Sequence, residues 1–341
     1  MDVHTNIPLK NYTTMKLGGP ARFMTVARRL DDVADIVAHA KEQNLPFFVL
    51  GGGSNLIVGD SGYDGVIIQN KITGFDVIQS GDGRVQIKIG AGEIWDDVVK
   101  RTVEMNLTGI EAMSAIPGTA GAAPVQNVGA YGQEIADTLV SLEAFDSTTM
   151  QHVTLKNIDC GFSYRNSIFR GEAMGRYIIT SITIELYTTA PEPPFYESLQ
   201  RYFDEHNTTI FTPQVVRDAV IEIRREKLPD PNVLPNTGSF FKNAIVEKWQ
   251  LDDLKKILEV DDVPSYDMPG NKYKIPTGWL IEQIGFKGKL LHGMRVHDKN
   301  ALVLINESAT SHADLVAARE EIKGAIRDEY RITIEQEPLE L

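Results

Sequence analysis

The sequence lacks the cysteines, long apolar runs and histidine spacings that several classes of protein require. Its 341 residues include a single cysteine, Cys160, so it can form neither an internal disulfide nor a thiolate-rich zinc site. No stretch offers the ~20 apolar residues of a membrane-spanning helix, and residues 1–10 lack the apolar core of a signal peptide. The seven histidines show no metal-binding spacing such as H-E-x-x-H. These absences predict a soluble, cytoplasmic protein without a metal site.

Positive charge is also in deficit. The chain has 34 Lys and Arg against 47 Asp and Glu, a net charge of −13. Because a nucleic-acid binder needs a basic surface to replace phosphate counterions, no nucleic-acid partner is expected. The net charge does not exclude a local phosphate site. Apolar residues make up 42% and charged residues 24%, which is ordinary for a globular protein, and the length predicts about two domains.

Short apolar runs alternate with amphipathic segments, which is typical of mixed helix and strand layers. The periodicity predicts helices over residues 31–44, 93–105, 246–258 and 311–330, and strands over 47–50, 65–69, 85–89, 140–145, 177–186 and 301–305. Asp31 or Asp32 is the expected cap of the first helix. Ser311 and Asp314 have the spacing of a capping box at the start of the last.

A further helix is expected to begin at Thr212 and Pro213, because threonine caps helices and proline suits the first helical position. It should end before the proline pair Pro229 and Pro231, which we take as the domain boundary.

Two glycine-rich segments could hold a ligand. The GGGSN segment at 51–55 follows a predicted strand, and its backbone N–H groups could cradle a pyrophosphate, although a structural turn is an equally good interpretation. It matches neither the Walker A loop nor the G-x-G-x-x-G fingerprint. Residues 112–133 carry no charge and are rich in small residues, which favours close approach to something flat. Together the loops suit a ligand with a pyrophosphate and a flat ring; a packed pair of turns is the alternative.

Three further sites have both a structural and a functional interpretation. Arg165, within FSYRNSIF at 162–169, could be a surface or ion-paired arginine or a clamp for a carboxylate. Ser239, within TGSFFKN at 237–243, could be exposed on a tight turn or simply feed a strand. The acidic residues at 335–337 are typical of a solvated terminus.

Taken in order, these motifs resemble those of the UDP-N-acetylenolpyruvoylglucosamine reductase family, also called UDP-N-acetylmuramate dehydrogenases. The resemblance covers nearly the whole chain. The motifs that carry it are GGGSN, IPGTAGAAPVQNVGAYG at 116–132, FSYRNSIF, KLPDP at 227–231, TGSFFKN, GWLIEQ at 278–283 and ALVLINE at 301–307. The spacer between Glu185 and Thr212 resembles the longer (type I) class of the family, whose extra loop closes over the substrate.

The resemblance implies an NADPH-dependent flavoprotein oxidoreductase with non-covalent FAD. Such enzymes reduce UDP-N-acetylglucosamine enolpyruvate to UDP-N-acetylmuramate, a precursor of peptidoglycan, and so serve cell wall biogenesis, cell shape and cell division. The implied fold is α+β: a vanillyl-alcohol-oxidase-like (PCMH-type) FAD-binding domain plus a smaller α+β substrate-binding domain. NADPH and the sugar nucleotide are expected to share one cleft of a monomer, with no membrane partner.

The expected domain division follows from the same resemblance and the proline boundary. The FAD-binding domain spans 1–228, in subdomains of about 1–70 and 71–228, and is completed by 331–341. The substrate-binding domain spans 229–330.

Carried over by position, the catalytic roles fall on Arg165, Ser239 and Glu337. Arg165 and Glu337 would stabilise charge developing on the enolpyruvyl group, and Ser239 would donate the proton, assisted by a lysine or a water relay. A raised pKa is expected for Glu337, since a carboxyl group that helps an enolate should donate a hydrogen bond.

The remaining expected contacts are to cofactor and substrate. The cofactor-binding positions are Gly51, Gly52, Gly53, Ser54, Asn55, Ile116, Pro117, Gly118, Ala122, Gly129, Ala130, Tyr131 and Ile179. The substrate-binding positions are Tyr164, Tyr196, Lys227 and Asn243. Lys227 could otherwise be a solvated helix end.

The chain departs from the family at Leu339, where many relatives carry arginine, and this leaves Glu335 as an alternative to Glu337. Two other functions stay open at this point. One is a flavoenzyme of the same fold acting on a hydroxy acid or alcohol, and the other is a non-catalytic module that binds UDP-sugar or flavin.

Overall fold

The computed structural model describes residues 2–341, which form a mixture of helices and strands. The helices are α1 (Leu30–Glu42), α2 (Trp95–Glu104), α3 (Ile135–Thr138), α4 (Glu197–Glu205), α5 (Pro213–Lys227), α6 (Lys248–Leu258), α7 (Thr277–Gln283) and α8 (His312–Tyr330). The strands are β1 (Val3–Pro8), β2 (Pro20–Ala27), β3 (Phe47–Leu50), β4 (Leu56–Ile57), β5 (Tyr63–Asn70), β6 (Phe75–Gly81), β7 (Arg84–Gly90), β8 (Gly129–Ala130), β9 (Gln133–Glu134), β10 (Leu139–Asp146), β11 (Gln151–Lys156), β12 (Tyr177–Tyr187), β13 (Ala244–Glu247), β14 (Tyr266–Met268), β15 (Lys272–Ile275), β16 (Leu290–Leu291), β17 (Met294–Val296), β18 (Leu304–Asn306) and β19 (Leu339–Glu340).

The chain forms two compact units. The first consists of the residues up to Ile7, Ala21–Gly53 and Tyr63–Arg225; the second consists of Pro8–Pro20, Ser54–Gly62 and Glu226–Leu341. The main boundary, after Arg225, lies three residues before the predicted one. The segment 331–341, which we expected to complete the FAD-binding domain, groups with the second unit because β19 pairs in parallel with β4, itself part of that unit.

The first unit contains two main sheets. In one, of order β1-β2-β5-β3, both β2 and β3 run parallel to β5, and α1 buries Val33 and Val37 against it. The other is an antiparallel sheet of order β11-β10-β12-β7-β6. It packs with Trp95 and Val98 of α2 in a second core. The glycine-rich segments lie after β3 and between α2 and β9.

The second unit is built from three small sheets, β13-β15-β14, β16-β17-β18 and β19-β4, around one core. Helices α6, α7 and α8 contribute Leu254, Leu280 and Ile322 to this core. Met15 and Ile57, from earlier in the chain, are buried in it as well. The second unit therefore includes two segments, Pro8–Pro20 and Ser54–Gly62, that lie far before Glu226 in the sequence.

Helix starts follow local side-chain hydrogen bonds. The Ser311 hydroxyl accepts from the Asp314 N–H, and Asp314 accepts in return from the Ser311 N–H, which confirms the predicted capping box. The Thr212 hydroxyl likewise accepts from the Val215 N–H at 3.2 Å. The predicted cap of α1 was wrong by a few residues: Asp32 reaches back to the Arg29 N–H, so that arginine is the N-cap.

The predicted elements at 246–258 and 301–305 start later than expected. The helix expected over 246–258 begins only at Lys248, because Ala244 and Val246 are buried at alternate positions of β13, paired with β15. The strand expected over 301–305 is shorter, since β18 starts at Leu304 and Val303 forms only an isolated bridge with Ser239.

Candidate functional site

The two glycine-rich loops meet within the first unit. A side-chain carbon added at Gly52 would lie 2.9 Å from the Gly118 Cα, and one added at Gly51 would lie 2.7 Å from the Thr119 Oγ1. Such approaches leave room for backbone alone. The loops predicted to share one ligand therefore lie side by side.

The second loop is hydrogen-bonded to the turn between β7 and α2 and to the first residue of α2. The Trp95 N–H donates to the Gly118 carbonyl at 3.1 Å, and the Ala120 N–H donates to the Glu93 carbonyl at 2.9 Å. By contrast, over residues 2–341 no backbone carbonyl accepts a hydrogen bond from the N–H groups of Gly52 and Gly118. A firmly held loop with exposed backbone donors suits a diphosphate, so these residues fit the FAD expected there.

Gly52→Ala is expected to weaken FAD binding by roughly ten- to hundredfold. The added methyl group would meet the Gly118 backbone at 2.9 Å, and relieving such overpacking costs about 1–3 kcal/mol in the closed loop pair. Fluorescence titration of the apoprotein with FAD measures the dissociation constant. Gly81→Ala is the matched control, because nothing lies within 4 Å of a carbon added there. Equal affinity of both variants would contradict the role of the loop.

A tight turn presents Arg165 next to the same loop. Ser163 and Asn166 exchange two backbone hydrogen bonds of 3.0 Å, and Arg165 within the turn takes the left-handed conformation at φ 53°. Its Nη2 donates to the Gly129 carbonyl at 2.9 Å, while its guanidinium carbon lies 5.5 Å from the centre of the Tyr164 ring. The strained backbone and the bond to Gly129 both fix where this cation points.

A second arginine, which sequence reasoning missed, belongs to this group. Burial lowers the pKa of Arg224, with the charge of Arg165 acting in the same sense, while Tyr131 and Asp96 partly oppose the shift. Two guanidinium groups that interact electrostatically favour an anion between or beside them. The only signal in the sequence was a charged run at the end of α5, which is also typical of a solvated helix.

Tyr131 connects this cationic group to the predicted substrate loop. Its ring meets that of Tyr196 edge to face, with the centroids 6.1 Å apart. Tyr196 is 47% exposed and precedes α4 directly. An exposed tyrosine resting on a cofactor-loop tyrosine can reach a bound molecule without rearranging the core.

In the second unit, backbone pairing brings Ser239 and Glu337 into one layer. Ser239 forms a bridge with Val303, and the next residue, Phe240, accepts from the Glu337 N–H at 2.8 Å. The alternative carboxylate, Glu335, forms an ion pair with Lys242 at 3.1 Å. Glu337 thus sits next to the serine turn.

The other predicted contacts lie as follows. Ser54 and Asn55 belong to the second unit, where the Asn55 carbonyl accepts from the Leu339 N–H at 3.0 Å. Lys227 is the exposed last residue of α5, and the Asn243 Oδ1 accepts from the Thr277 N–H at 3.2 Å.

Core and loop positions complete the predicted cofactor set. Ile179 is buried in β12, and its carbonyl accepts from the Asn70 amide at 2.8 Å. Ala122 lies next to Gly51, with 3.4 Å between its Cβ and a carbon added at that glycine. Ile116 packs partly against the core beneath the loop, Pro117 is exposed, and Ala130 is half-buried in β8.

Over residues 2–341, no group of three or more histidine, cysteine or acidic residues is arranged to hold a metal ion. The same part of the chain has no helix long and apolar enough to cross a membrane. Cys160 is buried, and burial raises the pKa of its thiol to about 12.

Comparison with known proteins assigns both parts of the chain to families. Residues 21–154 match an FAD binding domain, and residues 230–340 match the C-terminal domain of UDP-N-acetylenolpyruvoylglucosamine reductase. A reductase of that name from Ralstonia nicotianae is 38% identical over 335 residues, covering 97% of both chains. One from Neisseria gonorrhoeae is 39% identical over 331 residues, covering 97% of this chain and 95% of the relative.

A solved structure shows the same fold. The crystal structure of UDP-N-acetylenolpyruvylglucosamine reductase from Thermus caldophilus superposes with a TM-score of 0.67 at 21% identity, covering 99% of this chain and 98% of the other. The predicted α+β fold, with a PCMH-type FAD-binding domain and a second α+β domain, is confirmed.

Proposed function

Because the chain belongs to the family of UDP-N-acetylenolpyruvoylglucosamine reductases, we propose that it reduces UDP-N-acetylglucosamine enolpyruvate to UDP-N-acetylmuramate with NADPH. The observation that carries the proposal is a likeness of 38% identity spanning 97% of both chains. This reaction belongs to peptidoglycan precursor synthesis. We further propose that the enzyme is cytoplasmic and acts as a monomer with non-covalent FAD.

The glycine loops at 51–53 and 116–118 would hold the cofactor through backbone N–H groups. When bound, the reduced flavin supplies a hydride, which adds to the terminal methylene carbon of the enolpyruvyl group. Negative charge then develops on the carbon bearing the ether oxygen and spreads into the carboxylate. The catalytic residues of the protein act on that charge.

Arg165 and Glu337 would stabilise the developing charge. Arg165 offers a planar pair of N–H donors to a carboxylate, and its position is supported by its bond to Gly129 and its left-handed backbone. Glu337 would donate a hydrogen bond in its protonated form, and this role requires a raised pKa. The raised pKa of Glu337 stays a prediction.

Ser239 would deliver the proton to the carbon bearing the ether oxygen, which completes the lactyl group. A serine hydroxyl is a very weak acid, so a neighbour must assist it. The Lys242 ammonium is engaged with Glu335, which favours a water relay over this lysine as the assistant.

Substrate binding is assigned to four residues. Lys227, exposed at the end of α5, and Asn243 would contact the diphosphate together with Tyr196. Tyr164 would lie beside the arginine that receives the carboxylate. NADPH is proposed to use the same cleft as the sugar nucleotide, in alternation, so each should inhibit the binding of the other.

Purified protein is expected to carry FAD, or to take it up, and to oxidise NADPH steadily only when UDP-N-acetylglucosamine enolpyruvate is present. The visible flavin spectrum and the loss of NADPH absorbance measure the two properties, and mass spectrometry identifies the lactyl product. Steady NADPH oxidation with a simple hydroxy-acid partner instead, or a protein that cannot be loaded with FAD, would contradict the proposal.

A further inference from the structure

We infer that Arg319 of α8 is a positioning residue for Glu337, an inference that rests on the proposed function. The Arg319 side chain is only 15% exposed. Its Nη1 donates to the Gln336 Oε1 and to the Glu340 Oε2, both at 2.6 Å. These two acceptors lie on either side of Glu337 in the chain. One guanidinium group therefore holds the segment that presents the catalytic carboxyl group.

The held segment has little remaining freedom. The Gln336 amide, besides accepting from Arg319, donates to the Pro338 carbonyl at 3.2 Å and to Glu340 at 3.1 Å. The Glu337 N–H is bonded to the Phe240 carbonyl at 2.8 Å. Arg319 bonds to both Gln336 and Glu340, while the His312 Nε2 also lies 2.9 Å from the Glu340 Oε1. Loss of Arg319 would therefore remove the bond that ties Gln336 to α8 and leave Glu340 with His312 and Gln336 alone.

An arginine is suited to this task because its planar guanidinium can serve several acceptors in a fixed geometry. Besides the two acceptors above, its Nε donates to the Glu320 Oε1 at 2.9 Å, which orients the group on α8. Burial raises the pKa of Glu340, but Arg319, together with Gln336 and His312, outweighs it, so the pKa is lowered.

Arg319→Met is expected to reduce the rate of sugar reduction by the reduced enzyme by about ten- to hundredfold, because misplacing a catalytic group by an ångström costs on that scale. The variant keeps the aliphatic stem and loses the donors. Flavin reduction by NADPH should be unchanged, since that step does not use Glu337. The loss should appear in kcat rather than in the KM for the sugar nucleotide, and Arg319→Lys should restore part of it.

The control is Arg327→Met, on the same helix, where the arginine pairs with its neighbour Asp328 and is 65% exposed. It should match the unchanged protein in both half-reactions. Stopped-flow absorbance follows each half-reaction separately, and thermal unfolding reports any general loss of stability. If Arg319→Met does not fold, Glu340→Gln replaces it and should show a smaller loss confined to sugar reduction.

Glu337→Gln separates this inference from the proposed function. If Glu337→Gln loses sugar reduction while Arg319→Met and Glu340→Gln retain it, the positioning role is overturned and the function stands. If Glu337→Gln itself retains full sugar reduction, the assigned catalytic role fails and the inference falls with it. Equal losses in both half-reactions of Arg319→Met, with lowered thermal stability, would show a structural role only and would also overturn the inference.

Discussion

Ser239→Ala should leave flavin reduction by NADPH intact while sugar reduction falls by about 10²–10⁴-fold, the usual contribution of a positioned general acid. The substitution removes only the hydroxyl that we propose donates the proton to carbon. Hydride transfer to the methylene carbon would still be possible but would leave an unprotonated carbanion. Single-turnover stopped-flow measurements of the two half-reactions test this separation.

The backbone around Ser239 should survive the change. Its bridge to Val303 and the 2.7 Å bond from the Phe240 N–H to the Leu302 carbonyl involve no side-chain atom of the serine. Unfolding free energy should therefore change by less than about 0.5 kcal/mol. Ser308→Ala, at an exposed serine of the same unit, is the control. Equal loss of both half-reactions in Ser239→Ala would be inconsistent with a proton donor.

Arg217→Ala should destabilise the protein by about 3 kcal/mol, the lower end for a broken buried ion pair, since Asp96 is still 33% exposed. The Arg217 guanidinium donates to both carboxylate oxygens of Asp96, at 2.7 and 3.0 Å, and to the Ser114 hydroxyl at 3.0 Å. Its removal would leave the Asp96 charge without its strongest partner.

The same ion pair supports the FAD loop. Asp96 accepts from the Ala115 N–H at 2.6 Å, and Ala115 is held in the left-handed region at φ 56° immediately before Ile116. Arg217 also shares a helix face with Arg224, two turns further on. Arg217→Ala should thus weaken FAD binding as well, by an amount that fluorescence titration measures. Arg225→Ala, at an exposed position of the same helix, should change neither property.

The pH dependence of this pair has a defined sign. Burial raises the pKa of Asp96, but the hydrogen bonds from Arg217 and Ala115 outweigh it, so the folded pKa lies below the ordinary value of 3.8. The pair therefore contributes its full stability above that pH and loses it as the pH falls further. Asp96→Asn with Arg217→Met leaves neither member of the pair charged and should be more stable than Arg217→Ala. The difference in unfolding free energy between the unchanged protein and this double variant should shrink as the pH is lowered. A difference that stays constant with pH would contradict the stabilising role of the ion pair.

Local sequence signals predicted the elements well. The structure confirms two predictions that rest on a few neighbouring residues. One is the capping box of Ser311 and Asp314, and the other is the strand at the apolar run 47–50. At 246–247 the predicted helix was wrong, because pairing with β15 makes 244–247 a strand that buries Ala244 and Val246. The predicted catalytic residues stay predictions, but two of them, Ser239 and Glu337, do lie in one layer of paired backbone.

Residues adjacent in the chain, and motifs in a fixed order, were enough to predict the family, the two glycine-rich loops and the longer helices and strands. The folded chain was needed to show that Gly52 packs against Gly118, that Arg217 pairs with Asp96, and that segment 331–341 joins the second unit. Such partners lie far apart in sequence, and their meeting depends on the path of the whole chain. No periodicity or local spacing in the sequence predicts which of these distant residues come into contact.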